Sequence, residues 1–435
     1  MTPGARLQAA IELLDEVERQ ARPADRALSL YTRKRRYMGS KDRAAVRERL
    51  YGILRRRARL DWWLGRAAPT GPAPDARRRV IADLMLHDCW EAGALGSAFD
   101  GGQYRPAALT EEEAAVAAAL AGCPLDAPGQ PEDVRLEVPA WLAPALLPLG
   151  EHEVAALNEP APLTLRVNTL EGDREGARAA LAAGGVEVEP TMLSPVGLHV
   201  RGRPSLDSQA AYRDGLVEVQ DEGSQLAALL VDARPGMTVV DFCAGAGGKT
   251  LALVAALGGE GRVLACDSDG ERLRRMAPRL RRAGVEGVEW HVLAGGDDPW
   301  LREHAGIADR VLVDVPCGGS GAWRRAPEAK WQLTEEVLSA HIATVRAILA
   351  QAAALVRPGG RLVYVTCSLL ARENAEQVEW LAATHPAFTP LPMESVWDEA
   401  VGGPYPGEGS GTSLTLTPAR HGTDGFFIAA LERGA

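Results

Sequence analysis

The chain has 435 residues, of which 46% are hydrophobic, and its formal net charge is −10. This length predicts two or three domains, and the charge argues against a protein that coats nucleic acid indiscriminately. The sequence shows no continuous apolar run of membrane-spanning length, and its first residues lack the apolar core of a signal peptide. We therefore expect a cytoplasmic enzyme with no membrane partner.

The six cysteines are widely scattered and form no CxxC pair. Their spacing predicts neither a metal site nor a disulfide framework, so most of them should be reduced thiols in the interior. Two of them, Cys317 and Cys367, need a separate explanation.

The first third of the chain has apolar residues at helical spacing and contains a strongly basic stretch. Residues 33–59 read RKRRYMGSKDRAAVRERLYGILRRRAR, with Asp42 and Glu48 as the only acids. Such a local excess of positive charge favours contact with phosphates. Solvated helix faces carry similar charge runs, so this stretch alone leaves both interpretations open.

A small mixed module should follow, with strands at residues 163–168, 186–189 and 198–200 and a helix at 174–183. From about residue 216, short apolar runs alternate with helical patterns, which predicts α/β architecture with a parallel, doubly wound sheet. The predicted strands are 238–241, 262–267, 310–315 and 361–366, and the predicted helices include 220–231 and 334–356. The last two strands, 413–417 and 425–431, have no predicted helix between them, which suggests an antiparallel hairpin on the sheet edge.

A glycine-rich turn, VVDFCAGAGGKT at residues 239–250, joins a predicted strand to a helix. The turn does not match the phosphate-binding P-loop pattern, because Cys243 stands where that pattern requires glycine. It does not match a dinucleotide-binding turn either, because Thr250 stands where that turn requires glycine. Asp267 ends the next strand, where an acid binds ribose hydroxyls in folds of this kind. Turn and acid together predict a cofactor that contains adenosine.

Two strands run into cysteines at their carboxyl ends, one through Asp314-Val315-Pro316-Cys317 and the other through Thr366-Cys367-Ser368. The carboxyl ends of parallel strands face one crevice, so both thiols and Asp314 should lie near the glycine-rich turn. A single cysteine is most often a core residue, but two at strand ends beside a carboxylate favour a nucleophile.

These motifs resemble those of the RNA (cytosine-5)-methyltransferases of the RsmB/Sun family over nearly the whole chain. The resemblance is carried by VQDEGSQLAALL, DFCAGAGGKT, ADRVLVDVPCGGSGAWRRAPEAKW, GGRLVYVTCSLLARENAEQVEWL and DGFFIAAL. It implies a class I methyltransferase fold, Rossmann-like with a mostly parallel seven-stranded sheet, over residues 216–435. It further implies an all-α NusB-like RNA-binding domain over 1–125, and a linker with a small α+β RNA-recognition-like module over 126–215.

The resemblance also implies a reaction, in which a methyl group passes from S-adenosyl-L-methionine to carbon 5 of a cytosine in RNA. Cys367 would be the nucleophile that attacks carbon 6, Cys317 would assist loss of the carbon-5 proton or product release, and Asp314 would bind the base near N3. The NusB-like domain points to small-subunit ribosomal RNA as the substrate, and we expect a monomer. The implied cofactor-binding residues are Cys243, Ala244, Gly245, Ala246, Gly247, Gly248, Lys249, Asp267, Asp297 and Asp314.

The chain departs from the family pattern at three places. The turn has Gly245-Ala246 where the family usually has alanine and proline, and DAPCSGTG appears as DVPCGGSG. The third cofactor acid falls in LAGGDDPW, where we choose Asp297 over the adjacent Asp298. Just after the turn that contains Pro316-Cys317 (the PC turn), Arg324, Arg325 and Lys330 are candidates for holding RNA phosphates. An exposed charged loop would have the same sequence pattern.

Three alternatives stay open. A DNA cytosine-5 methyltransferase shares the chemistry but uses the cysteine of its PC motif, and the TCS turn and the helical N-terminal part favour the RNA enzyme, so DNA is not an expected partner. A non-catalytic ribosome-assembly factor could retain the fold, although both cysteines, Asp314, Asp267 and Lys249 are present. Transfer RNA is the third alternative, as substrate in place of ribosomal RNA.

Overall fold

A computed structural model describes all 435 residues of the protein, and contacts within the chain group them into two units. Unit 1 comprises residues 1–159 and the short segment 323–334, and unit 2 comprises 160–322 and 335–435. Each unit has its own buried core, as expected for a chain of this length.

Unit 1 is helical, as the apolar spacing predicts. Its first helix begins with Pro3 behind Thr2, whose hydroxyl accepts a hydrogen bond from Ala5 N at 3.2 Å and so satisfies a free amide of the first turn. Leu13, Leu50 and Leu60 are fully buried and join three of the helices in one core. The helices that precede residue 160 are α1 Pro3–Gln20, α2 Ala24–Lys34, α3 Ser40–Arg55, α4 Arg57–Ala67, α5 Ala76–Leu86, α6 Ala92–Ala98, α7 Glu111–Leu120, α8 Glu132–Arg135, α9 Ala143–Leu146 and α10 Glu151–Ala156.

Unit 2 contains two sheets. The small one is antiparallel with the order β2-β3-β1-β4, and its inner face packs on helix 174–183 through Leu165, Leu181 and Leu198. The large one has the order β10-β12-β9-β8-β5-β6-β7, and β11 pairs with β12 as an eighth strand. The strands are β1 Leu163–Val167, β2 Val188–Pro190, β3 Gly197–Val200, β4 Val217–Val219, β5 Thr238–Phe242, β6 Arg262–Asp267, β7 Glu289–Val292, β8 Ala308–Asp314, β9 Val356–Thr366, β10 Phe388–Pro390, β11 Leu414–Leu416 and β12 Phe426–Arg433.

The large sheet is parallel from β9 to β7 and has helices on both faces. In β8, Val311 and Val313 point into one apolar cluster and Leu312 into the other, because successive side chains of a strand alternate between faces. The helices that follow residue 160 are α11 Arg174–Ala183, α12 Ala210–Arg213, α13 Glu222–Leu229, α14 Gly248–Ala256, α15 Gly270–Arg274, α16 Met276–Arg282, α17 Pro299–Glu303, α18 Ala329–Gln332 (in the segment of unit 1), α19 Glu335–Leu355, α20 Ala375–Thr384, α21 Met393–Ala400 and α22 Pro418–His421.

The predicted class, α/β with a mostly parallel doubly wound sheet, is confirmed, and the end of the chain differs from its prediction in detail. β11 and β12 do pair antiparallel, but β12 lies between β9 and β10 instead of on the edge. The four-residue helix α22 separates β11 from β12, so they do not form a tight hairpin. β12 is buried along most of its length, which explains why its sequence is almost wholly apolar.

One helix, α19, is long and apolar enough to cross a membrane by length and composition, although polar residues interrupt its apolar run. It packs against β8 in unit 2, where Val345 and Leu349 are fully buried in the same cluster as Val311. A helix that covers a parallel sheet meets the same test of length and hydropathy.

Candidate active site

The order of the parallel strands reverses at β5, which has β8 on one side and β6 on the other. Such a reversal opens a crevice at the carboxyl ends of the strands. The glycine-rich turn begins there, directly after Phe242. Its backbone is left-handed at Cys243, Gly245 and Gly247, with φ of 70°, 56° and 80°. At Gly247 a Cβ atom would lie 2.3 Å from Met276 Cγ, so the close packing of the turn on α16 requires glycine.

Cys243 itself is half-buried, and burial, together with nearby carboxylates, raises the pKa of its thiol. A thiol that stays protonated is a poor nucleophile. Cys243 therefore contributes backbone and volume to the turn, and the reactive thiol must be sought elsewhere.

The predicted ribose acid, Asp267, lies at the end of β6 and is 5% exposed. One carboxylate oxygen accepts a hydrogen bond from Gly245 N at 2.8 Å, and the other accepts one from Asp269 N at 2.8 Å. Asp267 thus connects the glycine-rich turn to the neighbouring strand. The sequence placed this acid near the turn but did not reveal that it holds the turn directly.

A second acid stands behind the turn. Asp241 is buried in β5 and accepts a hydrogen bond from the Thr250 hydroxyl at 2.6 Å, while its Oδ1 has no partner. Burial raises the pKa of Asp241 to about 7. An unpartnered carboxylate oxygen at this depth is costly, so it is a place for a ligand to donate a hydrogen bond.

The last acid of the predicted cofactor set falls after β7. Asp297 is exposed, whereas the Asp298 carboxylate accepts hydrogen bonds from Ala294 N, Trp300 N and His291 Nε2. These bonds hold the pKa of Asp298 at about 2. Asp298 thus shapes its loop, and the exposed Asp297 stays the predicted cofactor acid.

The two strand-end cysteines come together. β8 and β9 are parallel neighbours with Asp314 opposite Val365, and the Sγ atoms of Cys317 and Cys367 lie 3.5 Å apart. The hydrogen bond with Cys367 and then burial raise the pKa of the Cys317 thiol. Asp314 lies at the end of the same strand, where Lys249 Nζ donates to its Oδ2 at 2.6 Å.

Close backbone contacts hold the two cysteine turns against each other. Gly321 N donates to the carbonyl of Cys367 at 2.9 Å, and Leu369 N donates to Ser320 Oγ at 2.7 Å. A Cβ atom on Gly321 would lie 2.1 Å from the carbonyl oxygen of Gly425. The relative position of the two thiols is therefore fixed by backbone hydrogen bonds, and glycine is needed to make them.

Glu373, which the sequence reasoning missed, also belongs to this site. It is fully buried, and its Oε1 accepts a hydrogen bond from Gly318 N, next to Cys317, at 2.7 Å. In the sequence, Glu373 looks like an ordinary acid at the start of a helix. Its position shortly after the TCS turn, at the carboxyl edge of the sheet, was the one feature of the sequence that pointed to a place in the site.

The three predicted RNA-binding residues after the PC turn are placed differently from one another. Lys330 is 2% exposed and donates to Asn158 Oδ1 at 2.8 Å within unit 1, and burial lowers its pKa to about 7. Arg324 is 8% exposed, and only Arg325 lies at the surface. Burial disfavours contact of Lys330 and Arg324 with RNA phosphates, and Arg325 is the best exposed of the three candidates.

Much of the basic stretch in α3 and α4 is likewise paired. Arg49 and Arg56 both bind the buried carboxylate of Asp83, at 2.5 and 2.7 Å, and Arg59 binds Glu137 at 2.9 Å. The exposed cations of this stretch lie nearer its beginning. They are Arg33, Lys34, Arg36, Lys41, Arg43 and Arg47.

A doubly wound sheet with a glycine-rich turn after β5, an acid at the end of β6 and the antiparallel strand β12 beside β9 has the architecture of a class I methyltransferase fold. The family profile described as 16S rRNA methyltransferase RsmB/F matches residues 228–432, and the ferredoxin-like domain of the same proteins matches residues 151–207. The chain belongs to this family, the RsmB/Sun methyltransferases.

Individual relatives agree. A putative methyltransferase of Mycobacterium tuberculosis is 31% identical over 92% of this chain and 90% of its own length. A probable ribosomal RNA small subunit methyltransferase B of Synechocystis is 32% identical, over 65% of this chain and 63% of its own length. The match with the Synechocystis protein thus spans less than two thirds of that relative. The crystal structure of the protein PH0851 superposes with a TM-score of 0.78 at 27% identity and covers 100% of this chain and 99% of its own.

Proposed function

We propose that this protein transfers a methyl group from S-adenosyl-L-methionine to carbon 5 of a cytosine in small-subunit ribosomal RNA. The observation that carries the proposal is the pair of thiols at the ends of β8 and β9, with Sγ atoms 3.5 Å apart and Asp314 at the end of the same strand as Cys317. One thiol alone would be a core residue. Two thiols held together by backbone bonds at a ligand-binding edge form a site for covalent chemistry on a base.

Carbon 5 of cytosine is a weak nucleophile, so the ring must first be activated. The Cys367 thiolate adds to carbon 6, and the electron pair of the carbon 5–carbon 6 double bond moves toward N3, where Asp314 hydrogen-bonds or protonates the ring. Carbon 5 of the resulting enamine would then take the methyl group, as the bond between that group and the cofactor's sulfonium sulfur breaks and S-adenosylhomocysteine is left. Finally a base takes the carbon-5 proton, with Cys317 assisting. The electron pair of that C–H bond re-forms the carbon 5–carbon 6 double bond, which expels Cys367 as a thiolate and releases 5-methylcytosine.

The residues at the glycine-rich turn fit an S-adenosylmethionine cofactor. The unpartnered Oδ1 of buried Asp241 and the carboxylate of Asp267 are acceptors for a ligand rich in hydroxyl and amino groups. When bound, this cofactor supplies an electrophilic methyl group. The residues that would hold it are those predicted from the sequence: Cys243, Ala244, Gly245, Ala246, Gly247, Gly248, Lys249, Asp267, Asp297 and Asp314.

The RNA would be held by cations that are exposed at the surface of unit 1. Arg33, Lys34 and Arg36 are exposed and lie around the end of α2, and Arg325 is exposed just after the PC turn. A target cytosine must be unstacked before a thiol reaches carbon 6, so the substrate is a loop or an opened helix. We assign this RNA-holding role to a NusB-like domain at residues 1–125 and the module at 126–215, with catalysis at 216–435 in a cytoplasmic, monomeric enzyme.

The proposal is tested by supplying the purified protein with methyl-labelled S-adenosylmethionine and four nucleic acids: unmethylated 16S rRNA, assembled small subunits, transfer RNA and duplex DNA. We expect labelled 5-methylcytidine from 16S rRNA or small subunits and none from Cys367→Ala, while Cys89→Ala, which changes an exposed cysteine of unit 1, behaves as the wild type. Label in transfer RNA alone, label in DNA, or no transfer by a protein that fails to bind the cofactor would each overturn it.

A further inference from the structure

A buried carboxylate is hydrogen-bonded to the turn that carries Cys317, and the reaction described above gives it no part. Glu373 belongs to the short helix Ala371–Glu373 that follows the TCS turn, and its side chain is fully buried. Its Oε1 accepts the hydrogen bond from Gly318 N, while its Oε2 has no partner. Burying a carboxylate with half its hydrogen-bonding capacity unused costs stability, which suggests that its charge serves the site.

The backbone around Glu373 is held tightly in place. The Tyr364 hydroxyl donates to the carbonyl oxygen of Glu373 at 2.5 Å, and Tyr364 is itself fully buried in β9. The next residue, Asn374, accepts a hydrogen bond from the Thr366 hydroxyl at 2.6 Å and donates to the carbonyl of Ser368 at 2.9 Å. The carboxylate is therefore fixed relative to both cysteine turns.

When two thiols are in hydrogen-bond contact, one of them donates the hydrogen bond and the other is the one that can lose its proton. The Sγ atoms of Cys317 and Cys367 lie 3.5 Å apart, and either could be the donor. A carboxylate next to one of them opposes ionisation of that thiol, because two negative charges repel in a buried site. Glu373 is bound to the residue after Cys317, so its charge acts on the Cys317 side of the pair.

The protonation of Cys317 agrees with this geometry. Its pKa is raised first by the hydrogen bond with Cys367, then by burial, and further by the charges of Cys367 and Glu373. Two other titratable side chains lie near Glu373: Tyr364, which stays protonated because burial raises its pKa, and His341 of α19. His341 Nδ1 lies 3.7 Å from Glu373 Oε1 and is 32% exposed.

We propose that Glu373 is a positioning residue that assigns the roles of the two cysteines: its carboxylate fixes the Cys317 turn and keeps Cys317 a hydrogen-bond donor, which leaves Cys367 as the thiol that ionises and attacks. A Cys317 S–H that points at Cys367 also stabilises the Cys367 thiolate. This inference rests on the proposed function for its meaning in catalysis. Its physical content concerns only the two thiols of the free protein.

The test is therefore an alkylation profile that needs neither RNA nor cofactor. Reduced protein is treated briefly with iodoacetamide between pH 6 and 10, and modification at each cysteine is quantified by peptide mass spectrometry. In the wild type, Cys367 should react at lower pH and faster than Cys317. Equal rates, or faster reaction at Cys317, would overturn the proposal whatever the variants do.

The Glu373→Gln variant keeps an acceptor for Gly318 N but loses the negative charge. The pH profile of Cys317 alkylation should therefore move down by about one pH unit, which is a tenfold gain in thiolate at a given pH. Glu376→Gln is the matched control, because Glu376 is an exposed acid one residue into the following helix and should leave both profiles unchanged. An unmoved Cys317 profile in folded Glu373→Gln would reduce Glu373 to a structural residue. Loss of methyl transfer with normal profiles in the wild type would count against the proposed function alone.

Discussion

Lys249 Nζ donates to Asp314 Oδ2 at 2.6 Å, which ties the first turn of α14 to the end of β8. The contact joins the glycine-rich turn, which we propose holds the cofactor, to the acid that we propose faces the base. The Asp314 side chain is 30% exposed and Lys249 is 11% exposed, so the pair lies at the mouth of the crevice and is not sealed in the core. A group in this position can exchange one partner for another when substrate arrives.

Replacing Asp314 by asparagine should therefore affect chemistry more than folding. Asparagine cannot supply a proton or a full negative charge near N3, and we expect kcat for methyl transfer to fall by about 10² to 10⁴. Asp309→Asn is the control, since Asp309 sits at the opposite end of β8 in an ion pair with Arg357. Single-turnover methylation at saturating cofactor measures both, and a kcat for Asp314→Asn within threefold of the control would contradict the assigned role.

The raised pKa of Asp241 should make stability depend on pH. The folded protein binds a proton on Asp241 below about pH 7, whereas the unfolded chain does so only below its ordinary pKa of 3.8. Folding thus takes up a proton between these values, and the stability contributed by Asp241 falls as pH rises from about 4 to 7. Asp241→Asn removes this loss. The free energy of unfolding of the variant minus that of the wild type should therefore be greater at pH 8 than at pH 5, by about 2 to 3 kcal/mol.

Thermal unfolding of the cofactor-free protein at the two pH values measures this difference, and any constant packing cost of the asparagine cancels. Asp269→Asn serves as control, because the pKa of exposed Asp269 is lowered by backbone hydrogen bonds and its carboxylate is charged at both pH values. Equal pH dependence in Asp241→Asn and wild type would show that Asp241 ionises normally.

Exposed and buried cations of the helical unit should differ in RNA binding. Changing Arg33, Lys34 and Arg36 together to glutamine should reduce the salt dependence of RNA affinity by about 2 in log–log slope, since each lost phosphate contact on single-stranded RNA contributes about 0.7. Lys330→Met should leave the slope unchanged, because Lys330 is buried. Arg262→Gln controls for loss of surface charge at the amino end of β6. A slope unchanged by the triple variant would place the RNA elsewhere.

Gly321→Ala should damage the site through shape alone. The added Cβ would lie 2.1 Å from the carbonyl oxygen of Gly425, and both turns must shift to accept it. We expect a loss of about 1 to 3 kcal/mol in stability and about 100-fold in transfer rate. Gly65→Ala, in α4 with no atom within 4 Å of the new Cβ, should instead gain about 0.5 to 1 kcal/mol. Thermal unfolding and the transfer assay report the two effects separately.

The parallel sheet and the meeting of the cysteines followed from patterns that are local in the sequence. Runs such as Val311-Leu312-Val313 identify buried parallel strands, and the carboxyl ends of such strands share one edge. β12 was harder to place, because an apolar strand at the end of the chain fits an interior or an edge position equally well. Its pairing with β9 depends on tertiary contacts that no local pattern records.

The sequence did not reveal which charged side chains are buried, because their partners are distant in the sequence. Lys330 looked like a surface lysine until Asn158 and Glu137 were placed beside it, and burial also raises the pKa of Glu137. Glu373 was overlooked for the same reason. A sequence shows where charge occurs, but burial of a charge is decided by the fold.

The central claim is that Cys367 attacks carbon 6 and that Cys317 acts later, in proton loss or product release. It is tested most directly by incubating Cys317→Ala and Cys367→Ala with target RNA and S-adenosylmethionine, followed by denaturing electrophoresis. We predict an RNA–protein adduct that survives denaturation for Cys317→Ala, because release is blocked, and none for Cys367→Ala. An adduct with Cys367→Ala and none with Cys317→Ala would contradict the account and exchange the roles of the two cysteines.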